Sequence, residues 1–203
     1  MPIREYTQAK HRFFDEIALF LLTLSSSLVT AEVLRTGGQS KVASDPLYYL
    51  QFESCSLFEK LTWYPQEGMI SLASNGWPKT ISLHESLIHP RAPVFALSSS
   101  EAKSLHSVAL QSCFLRYFEA YRQEIEAKYG TDPWAWPMPW NFARVLRNAC
   151  AHGGVLTFQN ASSKAVTWRT LTYSPTEQGR QIIFRDMNFV EILALLEELD
   201  AFL

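Results

Sequence analysis

The sequence carries little charge and few of the residues that build metal or disulfide sites. Only 19% of its 203 residues are charged, and the formal net charge is −2. Such a balance lacks the broad basic field of a typical duplex-DNA-binding protein. The three cysteines (Cys55, Cys113 and Cys150) lie far apart with no CxxC pair, and an odd number argues against a disulfide framework. We therefore expect a reducing, intracellular compartment.

Long apolar runs and nucleotide-loop motifs are also missing. The most apolar N-terminal run, residues 17–24, is shorter than the roughly 20 residues of a membrane span, and it lacks the cleavage pattern of a signal peptide. The sequence has no phosphate loop, no serine-nucleophile elbow and no dinucleotide-type glycine fingerprint. These absences predict a cytoplasmic protein without membrane contact and without a bound cofactor.

Apolar periodicity predicts a mainly α fold. Hydrophobic residues make up 47% of the chain, enough for one domain with a substantial core over residues 1–203. Their helical spacing predicts helices that cover most of the chain outside two irregular regions. The predicted helices span residues 4–35, 46–61 and 98–129, a segment that begins near residue 140, and 188–203.

Two segments interrupt this helical pattern. Residues 62–97 are rich in proline and glycine and predict a loop-rich insertion. Residues 155–186 are rich in β-branched and aromatic residues, which predicts a β-hairpin with strands at 165–173 and 180–186 joined by SPTEQG. The expected architecture is a helical bundle with a β-hairpin inserted before its last helix.

Several possible sites have an ordinary structural interpretation that fits them better. The stretch HESLIH (84–89) separates its histidines by five residues, which diverge on a helix, and Pro90 follows, so no metal site is expected. Cys150 lies two residues from His152, so the two side chains point apart and the cysteine is expected to pack in the core. The cluster Trp134, Trp136 and Trp140 is expected to plug a bundle end or an interface rather than to stack nucleobases.

The stretch RNACAHGG (147–154) combines an arginine, an asparagine and a histidine near a helix end. Asn148 and His152 are four residues apart and share one helical face, and Arg144 extends that face as a substrate-binding candidate. Gly153 and Gly154 place His152 in the last turn, where the long side chain of Arg147 can swing toward the imidazole. An imidazole that moves protons beside a guanidinium suits metal-free phosphodiester chemistry. From spacing alone, however, capping of the helix carbonyls is the better interpretation.

The segment RNACAH resembles the Arg-Asn-x-x-x-His signature of HEPN domains (higher eukaryotes and prokaryotes nucleotide-binding). The following glycine, the long preceding helix and the leucine-rich closing helix add to the resemblance, which covers residues 98–203. It implies a helical homodimer in which two copies of the motif form one composite site. It also implies a metal-independent endoribonuclease of a toxin–antitoxin or phage-defence system, with an antitoxin as a further partner.

The resemblance assigns roles to three residues. Arg147 and His152 form the core catalytic pair, and Asn148 is the polar residue that follows the arginine. His152 would help the RNA 2′-hydroxyl attack its neighbouring phosphate, and Arg147 would stabilise the transition-state charge. Two alternatives stay open: a non-catalytic HEPN module that binds a nucleotide or a nucleotidyltransferase partner, and a helical dimer whose motif serves packing only.

Overall fold

The computed structural model describes residues 2–38, 49–87, 100–158 and 163–203. The chain divides into two compact units, and each is described by itself. The first comprises Met1–Glu53 with Phe58–Pro93, and the second comprises Ser54–Leu57 with Val94–Leu203. The single-domain organisation stays a prediction.

The first unit is a four-stranded antiparallel sheet with two helices. The strand order is β1-β4-β3-β2, and every neighbouring pair is antiparallel. The elements in chain order are β1 (Ile3–Thr7), α1 (Phe14–Thr36), β2 (Leu50–Glu53), β3 (Glu59–Trp63), α2 (Gln66–Ala73) and β4 (Thr80–Leu87).

Alternating side chains define the buried face of this sheet. Leu61 and Trp63 on β3, and Ile81 and Leu83 on β4, are buried, whereas the residues between them are partly exposed. Gly68 lets α2 approach α1 and the sheet closely, because a Cβ there would lie 3.2 Å from both Leu22 and Trp63 side-chain atoms. Arg4 links the edge strand β1 to the rest of the sheet. Its guanidinium pairs with Glu85 on β4 and with Glu59 on β3.

Three sequence predictions for this unit are wrong. The helix predicted over 4–35 begins too early, because residues 3–7 form a strand. The helix predicted over 46–61 is absent from its described part, which consists of β2, a turn and the start of β3. The predicted loop-rich insertion over 62–97 contains the end of β3, α2 and β4, and its residues 88–97 lie outside the described ranges. Periodicity fails here because short apolar runs fit a helix and a strand equally well, and pairing with neighbouring strands decides between them.

Helix α1 has the length and composition of a membrane span. Its stretch Phe14–Leu34 has a hydropathy of 1.9, so the apolar segment is longer than the run at 17–24 suggests. The core helices of many soluble proteins share these properties, and 39% of the tested window is buried. Length and composition alone therefore do not assign α1 to a membrane.

The second unit is built around three helices. Among the residues described there, the helices are α3 (Ser100–Tyr129), α4 (Met138–Ala151) and α5 (Phe189–Asp200). Short 3₁₀ helices span Pro133–Ala135 and Pro175–Glu177, and β5 (Val166–Trp168) pairs with β6 (Leu171–Tyr173). Asn188 begins α5 with a capping box, as the sequence predicts.

Aromatic side chains join these elements. The Trp140 ring lies 6.4 Å from that of Tyr117 and 5.5 Å from that of Phe118, and its indole N–H donates to the Leu199 carbonyl at 3.1 Å. Phe142 stacks on Tyr173 of β6 with centroids 5.1 Å apart. A single tryptophan of α4 therefore contacts both of the other helices.

The hairpin is shorter than predicted. β5 pairs with β6 across residues 169 and 170, so both of its strands lie inside the predicted first strand. The SPTEQG segment contains a capped 3₁₀ turn, and residues 180–186 make only isolated bridges, from Gln181 to Val155 and from Ile183 to Met187. The helical part of the expected fold is confirmed, with about 51% of the chain helical, but the antiparallel sheet makes the structure mixed α and β.

Glu191 of α5 should be a major stabiliser of the second unit. Its side chain is fully buried and accepts hydrogen bonds from the Ser54 hydroxyl (2.6 Å), the Ser56 N–H (2.8 Å) and the Asn188 N–H (3.0 Å). We expect Glu191→Ala to lower the free energy of unfolding by about 3 kcal/mol, because three partly buried donors lose their acceptor and a buried side chain is lost.

Urea denaturation of this variant measures that loss. Glu126→Ala is the matched control, since it removes only an exposed i,i+4 pair with Arg122, for which we expect less than about 0.5 kcal/mol. Equal midpoints for the two variants would show that the buried carboxylate is not a stabiliser.

Candidate functional site

Helix α4 presents one polar face outward. Its opposite face is apolar and buried: Trp140, Phe142, Ala143, Val145, Leu146, Ala149 and Cys150. Burial raises the pKa of the Cys150 thiol to about 12, so this cysteine is a packing residue and not a nucleophile, as expected. The partly exposed residues Asn141, Arg144, Arg147 and Asn148 remain on the outer face.

The two glycines end the helix and expose His152. Gly153 and Gly154 adopt φ values of 71° and 85°, and the Gly154 N–H donates to the Ala149 carbonyl at 2.8 Å. This six-to-one bond is the Schellman arrangement, which ends a helix by satisfying carbonyls of its last turn. His152 is the C-cap residue and is exposed, so the predicted place of the histidine is confirmed.

The guanidinium of Arg147 points toward α3. Its Nε donates to Glu119 Oε1 at 2.5 Å, and one Nη approaches the Asn148 side-chain oxygen at 3.4 Å. The expected swing of Arg147 toward the His152 imidazole is wrong for this structure, since the carboxylate on α3 is a stronger partner. No sequence pattern points to Glu119, because α3 carries acidic residues on several faces and helical spacing does not tell which of them meets α4.

The His152 imidazole makes no hydrogen bond or ion pair with any other residue among those described. Asn148 lies one turn before it on the same side of α4. The Arg147 guanidinium contacts the Asn148 side chain but not the His152 imidazole, so the three side chains do not form one hydrogen-bonded cluster. Both ring nitrogens of His152 are therefore free to exchange protons with a bound molecule.

Arg144 belongs to a second group of side chains on the same face. Its guanidinium donates to the Asn141 side-chain oxygen at 3.2 and 3.4 Å and lies 5.8 Å from the centroid of the Trp134 ring. Lys164 lies over the same ring at 5.4 Å. Burial lowers the pKa of the Arg144 guanidinium, which stays protonated near neutrality.

The three clustered tryptophans have different environments. Trp140 and Trp136 are buried, and the Trp136 indole N–H donates to the Gly130 carbonyl at 2.8 Å, as a packing role predicts. Trp134 leaves 42% of its surface exposed. Sequence analysis did not separate this residue from its neighbours, because all three lie in one short proline-rich segment without a periodic pattern.

Only the first histidine of the HESLIH stretch lies within the described residues. His84 lies on β4 with its ring edge against Tyr64, and His89 lies outside the described residues. No group of three or more His, Cys, Asp or Glu side chains that could hold a metal ion occurs within ranges 2–38, 49–87, 100–158 and 163–203.

Comparison with known proteins adds no relative. Neither a protein-family model, nor a curated protein, nor a solved structure matches this chain.

The glycine pair that ends α4 allows a sharp test of the site's scaffold. A Cβ at Gly154 would lie 2.6 Å from Gln181 Nε2 and 2.9 Å from Cγ1 of the buried Ile183, whereas a Cβ at Gly153 would meet nothing within 4 Å. We expect Gly153→Ala to cost about 1–2 kcal/mol from backbone strain alone, and Gly154→Ala to cost about 3 kcal/mol or more because steric overlap adds to that strain.

Thermal and urea unfolding of both variants measure the difference. Gly153→Asn is a useful third variant, since asparagine tolerates the left-handed conformation better than alanine and should recover part of the loss. A Gly154→Ala protein as stable as Gly153→Ala would contradict the close packing at this helix end.

Proposed function

We propose that this protein is a metal-independent endoribonuclease of the HEPN type that acts as a homodimer. The observation that carries the proposal is the outer face of α4, where Arg147, Asn148 and the unpartnered His152 lie within the last turns of one helix. A proton-transfer group and a phosphate-binding cation at one surface are the two requirements of RNA cleavage through the 2′-hydroxyl.

Each side chain has a role that its contacts support. Glu119 accepts the hydrogen bond of Arg147 Nε and so orients the guanidinium. The Nη groups can then donate to phosphoryl oxygens, as arginine commonly does. Asn148 orients the guanidinium or the phosphate from one turn before His152. Arg144 contributes a further cation for substrate binding on the same face.

The proposed reaction needs one base and one acid. One His152 imidazole takes the proton of the 2′-hydroxyl while that oxygen attacks the adjacent phosphorus, and the bond to the 5′-oxygen breaks. A protonated imidazole gives its proton to the departing oxygen. The products are a cyclic phosphate end and a 5′-hydroxyl end, and Arg147 stabilises the charge that develops on the phosphoryl oxygens.

A second copy of the chain supplies what one copy lacks. Within one chain Arg147 and His152 do not touch, and a single imidazole cannot be base and acid at once. Two copies related by a two-fold axis would place two imidazoles and two guanidinium groups in one crevice.

An apolar stripe on α3 supports this dimer. Leu105 and Val108 are 49% and 62% exposed, and they lie on the same helical face as Ser112, Leu115 and Glu119. Since Glu119 is bound to Arg147, the stripe leads directly to the motif. Exposed apolar side chains of this kind mark protein interfaces, and a second copy is the occupant that would also complete the site.

The cellular setting follows from the same assignment. A cytoplasmic ribonuclease that cuts host or phage RNA belongs in a toxin–antitoxin or defence system, where an antitoxin partner restrains it. A second candidate is a non-catalytic module that binds a nucleotide or a nucleotidyltransferase, which the engagement of Arg147 by Glu119 favours. Tight binding of the nucleotide or of the nucleotidyltransferase, with RNA left uncut, would identify this second function.

RNA cleavage in the presence of EDTA tests the proposed activity. We expect the wild-type protein to cut single-stranded RNA and to leave cyclic phosphate ends, and we expect His152→Ala and Arg147→Ala each to reduce the rate at least 100-fold. End analysis of labelled oligoribonucleotides measures both the rate and the product.

Arg122→Ala is the matched control, because Arg122 also pairs with an acidic residue of α3, but this residue is Glu126 and not a residue of the motif. It should cut RNA at the wild-type rate. Equal cleavage by wild type and His152→Ala would remove the catalytic assignment.

The dimer depends on the apolar stripe, and a charge placed in it should separate the copies. We expect Val108→Glu to turn a dimer into a monomer and to abolish cleavage together, because a carboxylate at the centre of the contact would be buried without a partner. Light scattering coupled to gel filtration measures the mass.

Leu34→Glu is the control, since Leu34 is 79% exposed but belongs to the first unit. This variant should keep the wild-type mass and activity. A wild-type protein that is monomeric while it cuts RNA would contradict the composite site.

A further inference from the structure

Trp134 is an exposed indole bordered by two cations. Its ring centroid lies 5.8 Å from the Arg144 guanidinium and 5.4 Å from the Lys164 ammonium, and 42% of the residue is exposed. The other strongly exposed tryptophan in the described ranges, Trp77, is 38% exposed but donates its indole N–H to Asp15. The indole of Trp134 therefore faces two cations, whereas the indole of Trp77 binds a carboxylate.

The backbone that carries Trp134 is held in place on both sides. The Asp132 side chain accepts the Trp134 N–H at 3.0 Å, and Pro133 fixes the first position of the 3₁₀ turn. Two residues later the buried Trp136 anchors the chain to the Gly130 carbonyl. The indole is presented on a preorganised turn, so a ligand that stacks on it loses little affinity to ordering the protein.

Arg144 is a cation without a carboxylate partner among the described residues. Its partners among those residues are the neutral amide oxygen of Asn141 and the Trp134 ring. Arg147, one turn further along α4, is neutralised by Glu119. A partly buried guanidinium that no carboxylate compensates attracts an anion, and phosphate matches its donor geometry.

We propose that Trp134, Arg144 and Lys164 bind one nucleotide of single-stranded RNA. The base stacks on the indole, and the phosphate lies between the guanidinium and the ammonium. This inference rests on the ribonuclease function proposed above and names its substrate as an unpaired strand.

The position of this nucleotide follows from the helix. Arg144 precedes His152 by eight residues, which corresponds to about 12 Å along the helix axis. Asn141, Arg144 and Asn148 share one face, so a strand can follow α4 from the indole to the imidazole. The stacked nucleotide therefore flanks the scissile bond and positions the strand without taking part in the chemistry.

A base can compete with the cations for the indole. Stacking on an aromatic side chain strengthens binding by about 5- to 150-fold per base, whereas an exposed cation over an aromatic ring contributes about 2- to 5-fold. Lys164 is exposed, so it can move from the ring to the phosphate and keep its charge close to the strand. Bases in a duplex are stacked on both faces, so only the bases of an unpaired strand can stack on the Trp134 ring.

Binding to a cleavage-deficient protein tests the proposal. In the His152→Ala background, we expect a fluorescently labelled single-stranded oligoribonucleotide to bind at least 10-fold more tightly than a duplex of the same length. Adding Trp134→Ala should weaken binding of the single strand about 5- to 150-fold, and Trp134→Phe should recover part of it, because a ring remains.

The salt dependence separates stacking from phosphate binding. We expect Lys164→Ala and Arg144→Ala each to reduce the slope of log K against log salt by about 0.7, the value for one phosphate contact to a single strand. Trp134→Ala should leave that slope unchanged. Trp77→Ala and Lys128→Ala, in which Lys128 lies over the Tyr129 ring at 5.7 Å, are the matched controls and should bind like the background protein.

The outcomes distinguish this site from the catalytic one. If Trp134→Ala binds the single strand as well as the background protein does, Trp134, Arg144 and Lys164 do not form a nucleotide site, even where the wild-type protein cuts RNA. Preference for the duplex would also overturn the proposal. If the wild-type protein binds single strands through Trp134 but does not cut them, the ribonuclease function fails and the nucleotide site stands.

Discussion

The second unit depends on one buried side chain, Trp140. Its ring packs against Tyr117 and Phe118 of α3, and its indole N–H donates to a carbonyl near the end of α5. A fully buried tryptophan removes a large apolar surface from water, and the hydrogen bond satisfies its one polar atom. Because these contacts fix the rotation of α4 about its own axis, they also decide which residues of α4 face outward.

The outward face holds two arginines with different surroundings. Glu119 compensates the charge of Arg147, which favours a guanidinium held in one orientation. Among the residues that the structure describes, Arg144 has an amide oxygen and an indole beside it and no carboxylate, and burial lowers its pKa. A guanidinium without a countercharge binds an incoming anion without first breaking an ion pair, whereas a paired one is already oriented. Substrate binding at Arg144 and transition-state stabilisation at Arg147 are therefore compatible roles on one helix.

Local signals explain which features the sequence predicted. Asn188 and the glycines after His152 act within one helical turn, so their roles as start and stop were readable without the fold. The strands at 50–53 and 59–63 pair with each other, and the second of them also pairs with β4, which lies outside any short window around them. Glu119 meets Arg147 across 28 residues of chain, and Trp134 differs from Trp136 only in how the turn at Pro133 directs it. A contact between distant residues decides the first feature, and the geometry of a local turn decides the second.

The polar side chains of Arg147, Asn148 and His152 contribute little to the stability of the fold. The Arg147–Glu119 pair is about 40% exposed on both sides, at 36% and 44%, and pairs of this kind contribute about 0.2–1 kcal/mol. The contact from Arg147 to Asn148 is long at 3.4 Å, and the His152 side chain contacts no polar group among the described residues. The folding energy of α4 comes from its opposite, apolar face. Substitution of these three polar side chains should therefore change the stability of the second unit little, as is usual for partly exposed surface residues.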